Sequence, residues 1–262
     1  MGSAMEILSG YVTAPSTTET AVTMGSGNSL TIRNALGRVL LLNAWGDWQT
    51  AGLLKITSPR IHDAVQGIRL EGVASEVDPL LPMEMPQLLY PQDTLTAVMT
   101  GSATSGDIES MAMLLYYENL PGAQARFISP DEVKTRMRNI LTVEKSIALG
   151  TAGGWSGSAA INATYDQFKA DTDYALLGYL VNVECVAVRW IGADVANLGI
   201  GGPGNETDKI LTRDWFVKLS RMTGLPLIPV FNAANKTGIL VDGAQDENGL
   251  DSILTSIFAE LA

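Results

Sequence analysis

The sequence predicts an all-β protein. It is read as two tandem β-sandwiches, with a short helix connecting them and a short helix inside the second half. Three observations predict this. One pattern occurs twice: the run Leu225 to Leu261, LPLIPVFNAANKTGILVDGAQDENGLDSILTSIFAEL, shifted back by 142 positions, falls without a gap on Met83 to Asn119, MEMPQLLYPQDTLTAVMTGSATSGDIESMAMLLYYEN. Short apolar runs are separated by turn signals roughly every eight to twelve residues, the spacing of sandwich strands. Only two stretches carry a helical pattern.

The repeat rests on pattern more than on identity, which is confined to Gly101 with Gly243, Ser110 with Ser252 and Glu118 with Glu260. Met83, Met85, Leu88 and Leu89 fall on Leu225, Leu227, Val230 and Phe231. Ala97, Val98 and Met99 fall on Ile239, Leu240 and Val241. After a polar turn, Ile108, Met111, Ala112, Leu115 and Tyr116 fall on Leu250, Ile253, Leu254, Ile257 and Phe258. A repeat of this length is one structural unit used twice. With 262 residues, each half is long enough to bury its own core.

Taken in order, residues 1–28 are rich in Ser, Thr, Ala and Gly and are expected to form an N-terminal arm, docked on a neighbouring subunit or disordered. The first sandwich is assigned to residues 29–126. Its strands are expected around Leu30–Ile32, Val39–Leu42, Gly52–Ile56 and Gly67–Val73, and then in the repeated unit. Residues 127–146 are expected to form the connector helix. Ser129, Pro130 and Glu132 make a capping box, and Val133, Met137 and Ile140 share one helical face. The second sandwich is assigned to residues 147–262, with strands at Tyr174–Tyr179 and Glu184–Ile191 and a turn at Gly199–Gly204. A helix over Thr212–Met222 presents Leu211, Trp215, Leu219 and Met222 on one side. Gly224 is placed to end it in the left-handed conformation.

Composition narrows function. The net charge is −11, and no Lys or Arg precedes Arg33. Direct nucleic-acid binding, which needs cations to displace counterions from phosphates, is therefore not expected. A single Cys, Cys185, and a single His, His62, exclude thiolate and histidine-rich metal sites. No apolar run reaches the roughly 18 residues of a membrane span. No secretory signal is expected, and Glu6 stands where a myristoylation sequence needs Ser or Thr.

The motif-like stretches lead to no catalytic, cofactor or metal site. Gly199, Gly201 and Gly204 fit G-x-G-x-x-G, but Pro203 interrupts and no helix follows directly. Gly154–Trp155–Ser156–Gly157 resembles a nucleophile elbow, but Ser158 replaces the final glycine and only His62 could serve as base. Asp242, Asp246, Glu247 and Asp251 surround a loop without calcium-loop spacing and read as a solvated acidic turn. The Asn162, Asn205 and Asn235 sequons read as coincidence. Met83, Met85, Met111 and Met113 alternate as core strand positions.

The repeat pair TLTAVMTG…IESMAMLLYYENL and TGILVDGA…LDSILTSIFAEL, the connector SPDEV and the helix TRDWFVKLSRM together resemble the double jelly-roll major capsid proteins of tailless icosahedral viruses with an internal membrane, the corticovirus type. The resemblance is architectural and spans residues 30–262. It implies two jelly rolls side by side and no enzymatic activity or cofactor. It also implies a homotrimer acting as a pseudo-hexagonal block in an icosahedral shell, and a virion location after synthesis in the host cytoplasm. The partners implied are further copies of the chain, other virion proteins and an internal membrane. The alternative is a carbohydrate-binding β-sandwich, lectin-like or an adhesin domain, that stacks sugars on Trp45, Trp48 or Trp155.

Overall fold

A computed structural model describes residues 2–24, 30–61, 65–74, 76–78, 83–148, 154–161, 167–205, 209–245 and 251–262. The first half runs β1 (Gly2–Thr13), β2 (Thr20–Ala21), β3 (Thr23–Met24), β4 (Val39–Trp48), β5 (Gly52–Thr57), β6 (Ile68–Gly72), β7 (Glu76–Asp78), β8 (Gln87–Leu89), β9 (Thr96–Thr100) and β10 (Ile108–Leu120). β11 (Phe127–Ile128) and α1 (Pro130–Arg136) lead into the second half. That half runs β12 (Met137–Ile147), β13 (Ala159–Ala160), β14 (Asp173–Val181), β15 (Cys185–Ile191), β16 (Ile200–Gly204), α2 (Lys209–Arg213), α3 (Trp215–Thr223), β17 (Ile228–Asn232), β18 (Leu240–Ala244) and β19 (Ser252–Leu261).

The strand order is the same in both halves. The first half pairs β1-β10-β4-β8 in one sheet and β2-β9-β5-β6 in the other; β3 and β7 are short additions. The second half pairs β12-β19-β14-β17 and β13-β18-β15-β16. Counting principal strands, each half reads first-eighth-third-sixth against second-seventh-fourth-fifth. This is the eight-strand, two-sheet connectivity of a jelly roll. The repeated segments Met83–Asn119 and Leu225–Leu261 carry the sixth, seventh and eighth strands of each.

The repeat is one residue out of step in its last strand. Along β10, Met111, Met113, Leu115 and Tyr117 enter the first core, while Ala112, Leu114 and Tyr116 leave on the other face. A shift of 142 lays buried Met111 on Ile253, which is 43% exposed. A shift of 143 lays Met111 on buried Leu254 and Leu115 on buried Phe258. It also superposes the bulges, which fall between Leu114 and Leu115 in one sheet and at Ile257 and Phe258 in the other. The sixth strands keep 142: Val39 pairs with Leu89 as Tyr174 pairs with Phe231. The extra residue is absorbed between the seventh and eighth strands.

Two boundaries need correction. The expected arm over residues 1–28 is not an arm where it is described. β1 lies in the first sheet, bonded along its length to β10, with Ala4, Met5, Ile7 and Leu8 buried. The expected connector helix over residues 127–146 is one short helix followed by a strand. α1 is capped by the Ser129 hydroxyl, which accepts from the Glu132 amide at 3.2 Å. It stops at Arg136 because Met137 turns to extended backbone and β12 zips onto β19 from Met137 to Ile147. Met137 and Ile140 therefore do not share a helical face with Val133. They are exposed on a strand, at 43% and 52%.

The later helix is broken at Asp214 into α2 and α3, and Gly224 ends it at φ +70° as expected. These helices fill the crossing from β16 to β17. Phe216 packs edge-on to Trp190 with centroids 6.0 Å apart, and the Trp215 indole N–H donates to the Gly201 carbonyl at 3.1 Å. The expected turn at Gly199–Gly204 is instead strand β16, entered through Gly199 at φ +69°. A Cβ on Gly202 would overlap the Tyr179 hydroxyl and the Trp215 indole, so this strand closes on its neighbours only because it has no side chain there.

Candidate functional site: the joint between the sandwiches

The halves meet across a buried apolar face. β1, β10 and β4 turn a second apolar face outward from the first core. Met5, Ile7, Leu40, Leu42, Ala112, Leu114 and Tyr116 belong to one continuous cluster with the second sandwich. Side chains of a strand alternate between faces, so a sheet buried on both sides reads as an unbroken apolar run, as Val39–Trp48 does.

Polar bonds fix the joint. The Trp45 indole N–H donates to the Val186 carbonyl at 2.7 Å, and its ring meets Trp215 edge-on at 6.3 Å. Val186 lies in the bulge where β15 leaves register with β16, so a side chain serves a carbonyl the ladder skips. The Ile7 amide donates to the Gly199 carbonyl at 3.0 Å, at the start of β16. The Val77 amide donates to Glu184 at 3.1 Å. The link between halves is pinned by Arg126, whose guanidinium forks onto the Asp173 carboxylate. That hydrogen bond, with help from Asn232 and the charge of Arg136, holds Asp173 below the ordinary carboxylate range, against the opposing effect of burial.

The other candidates are placed as follows. Trp45 and Trp48 are fully buried and Trp155 is 8% exposed, so none is free to stack a sugar. Trp48 fills the first core, and Trp155 lies over the Arg189 guanidinium at 3.9 Å. Burial lowers the pKa of Arg189, and the buried Asp242 opposes that shift from 2.8 Å. The Ser156 hydroxyl donates to the same carboxylate at 2.7 Å. Ser156, Asp242 and Arg189 are thus joined in one hydrogen-bonded cluster.

His62, Asn162, Asp246 and Glu247 lie outside the described residues. Among the described residues no group of three or more His, Cys, Asp or Glu is arranged to hold a metal, and no helix is long and apolar enough to cross a membrane. Asn205 is buried and Asn235 donates to Asp194. Met111 and Met113 are core as expected, but Met85 is 86% exposed. Cys185 is buried and in no disulfide.

No family model matches the chain, and no curated protein matches it. Among solved structures, the PBSX exported protein XepA aligns over 97% of this chain and 86% of its own, at 11% identity and a TM-score of 0.25. The Macrobrachium rosenbergii nodavirus structure aligns over 99% of this chain and 98% of its own, at 11% identity and a TM-score of 0.22. Likeness at this level assigns no family.

Proposed function

We propose that this chain is a virion structural protein, a major capsid subunit of the double jelly-roll kind, without catalytic activity. One observation carries the reading: the same eight-strand connectivity occurs twice and the copies are locked through a buried, side-chain-bonded joint. A sandwich duplicated in one chain lets a threefold assembly present six similar walls, and heterologous contacts that close make a block able to tile a shell. On this reading the partners are further copies of the chain and other virion proteins, with an internal membrane beneath the shell. The acidic chain then lies against lipid rather than nucleic acid, in keeping with its charge of −11. The carbohydrate-binding alternative loses its aromatic platform, because all three tryptophans it would use are buried.

The test is light scattering behind size exclusion, with negative-stain imaging of the peak. The expected species is a trimer of about 84 kDa, three times the 27.9 kDa chain, or particles built from it. A chain that stays monomeric at every concentration and forms no particles would overturn the reading.

A further inference from the structure

The joint inside the chain is heterologous. The first strand of the first sandwich, β1, receives the fifth strand of the second, β16, through the bond from the Ile7 amide to the Gly199 carbonyl. Each surface has a counterpart that this contact leaves unused. The counterpart of β1 is β12, the terminal strand of its sheet, and the counterpart of β16 is β6, also terminal.

Register makes the correspondence residue by residue on the β12 side. Met5 pairs with Tyr116 and Ile7 with Leu114; Ile140 pairs with Ala259 and Thr142 with Ile257. With the one-residue step in the last strand, Ile140 is the counterpart of Met5, and Thr142 of Ile7. Met5 is fully buried in the joint, whereas Ile140 is 52% exposed. Exposed apolar side chains stand near both surfaces, as Met85 and Leu88 also do at β8. Met137 and Ile253 stand on or beside β12 at 43% each, and Val65 and Val73 flank β6 at 74% and 58%. A long terminal strand carrying apolar side chains invites pairing with another chain.

We propose that β12 of one molecule receives the β6 edge of a second copy of this chain, in the sense in which β1 receives β16 internally. This rests on the capsid-subunit reading and names the walls it would use. Because the contact is heterologous, it propagates from copy to copy until the ring closes, and a closed trimer would leave neither strand free.

The experiment measures amide hydrogen exchange of the full chain when dilute and when assembled, together with two variants. Assembly is expected to protect residues 137–147 and 68–72. Ile140→Glu is expected to weaken assembly about tenfold or more while leaving the unfolding midpoint unchanged. Leu36→Glu, at an apolar position 64% exposed elsewhere on the surface, is expected to assemble normally. Assembly with new protection confined to other strands, or lost in Leu36→Glu and kept in Ile140→Glu, overturns this docking while leaving the capsid reading standing. Failure to assemble at any concentration overturns both.

Discussion

Replacing Trp45 separates the two contributions that hold the halves together. In Trp45→Phe an aromatic ring still faces Trp215, but the Val186 carbonyl loses its 2.7 Å donor in a dry environment. Leaving a buried acceptor unmet costs about 1–3 kcal/mol. In Trp45→Ala the ring goes too. Emptying a fully buried aromatic site costs about 3–5 kcal/mol, and the edge-on pair with Trp215 is lost with it. Because Trp45 sits between two cores rather than inside one, the loss falls on their coupling. Urea unfolding, followed by tryptophan fluorescence and by far-ultraviolet dichroism, is the assay. The wild type is expected to unfold in one step by both probes. Trp45→Ala is expected to unfold in two steps, with Trp45→Phe intermediate in midpoint. If Trp45→Ala costs under about 1 kcal/mol and the probes still coincide, the joint is not what fixes the halves together.

Two further outcomes follow from buried charge. Arg189→Met leaves Asp242, 1% exposed, without its cation. Breaking such a pair costs about 3–5 kcal/mol, and the double variant Arg189→Met/Asp242→Leu is expected to recover part of that loss. Urea midpoints that make the double variant worse than the single one would contradict this. The Asp173 carboxyl is held low by Arg126, so the unfolded chain binds the proton first as pH falls. The stability it contributes is present above about pH 4, its unfolded pKa, and is lost as pH drops through the lower folded value. The gap between wild type and Arg126→Gln, measured by urea unfolding, should therefore be full at pH 7 and shrink as pH falls below about 4; a gap independent of pH would refute the pairing.

The elements legible in the sequence were those whose burial differs between faces or whose ends carry chemistry. Gly52–Ile56 became β5, and the Ser129 cap and the Gly224 stop fell where expected. The strands that escaped notice contribute little apolar contrast. β1 places Glu6 inward, where Arg33 donates to its carboxylate at 2.6 and 2.9 Å and the Tyr117 hydroxyl donates at 2.9 Å. The same strand puts Ser9 on the face toward the other half, buried at 1%. A strand buried by its neighbours can carry Ser, Gly and Glu, and then reads as a polar arm. β16, with the sequence IGGPG, is the extreme case: its signal is the absence of side chains, which looks like a turn. Of the candidate site, Trp45 was visible as a residue, but its burial depends on the second sandwich and no local pattern reports it.

The repeat was visible because apolar phase survives where identity does not, and its one-residue error arose where phase is not enforced. Within a strand, a slip of one residue turns every core side chain to the other face, so burial holds the register of β10 and β19 tightly. Between the seventh and eighth strands the chain passes through a polar turn, where an added residue moves no side chain out of a core. An ungapped shift therefore matches Leu89 to Phe231 correctly and then sets Met111, in the core, on Ile253, at the surface. The same rule explains how the halves diverged without losing their fold. Inward positions such as Leu8 and Val143 stay apolar and buried in both. The outward positions Met5 and Ile140 are also both apolar, yet one is covered by the neighbouring sandwich and the other is not. On the docking proposed above, a second copy of the chain covers Ile140.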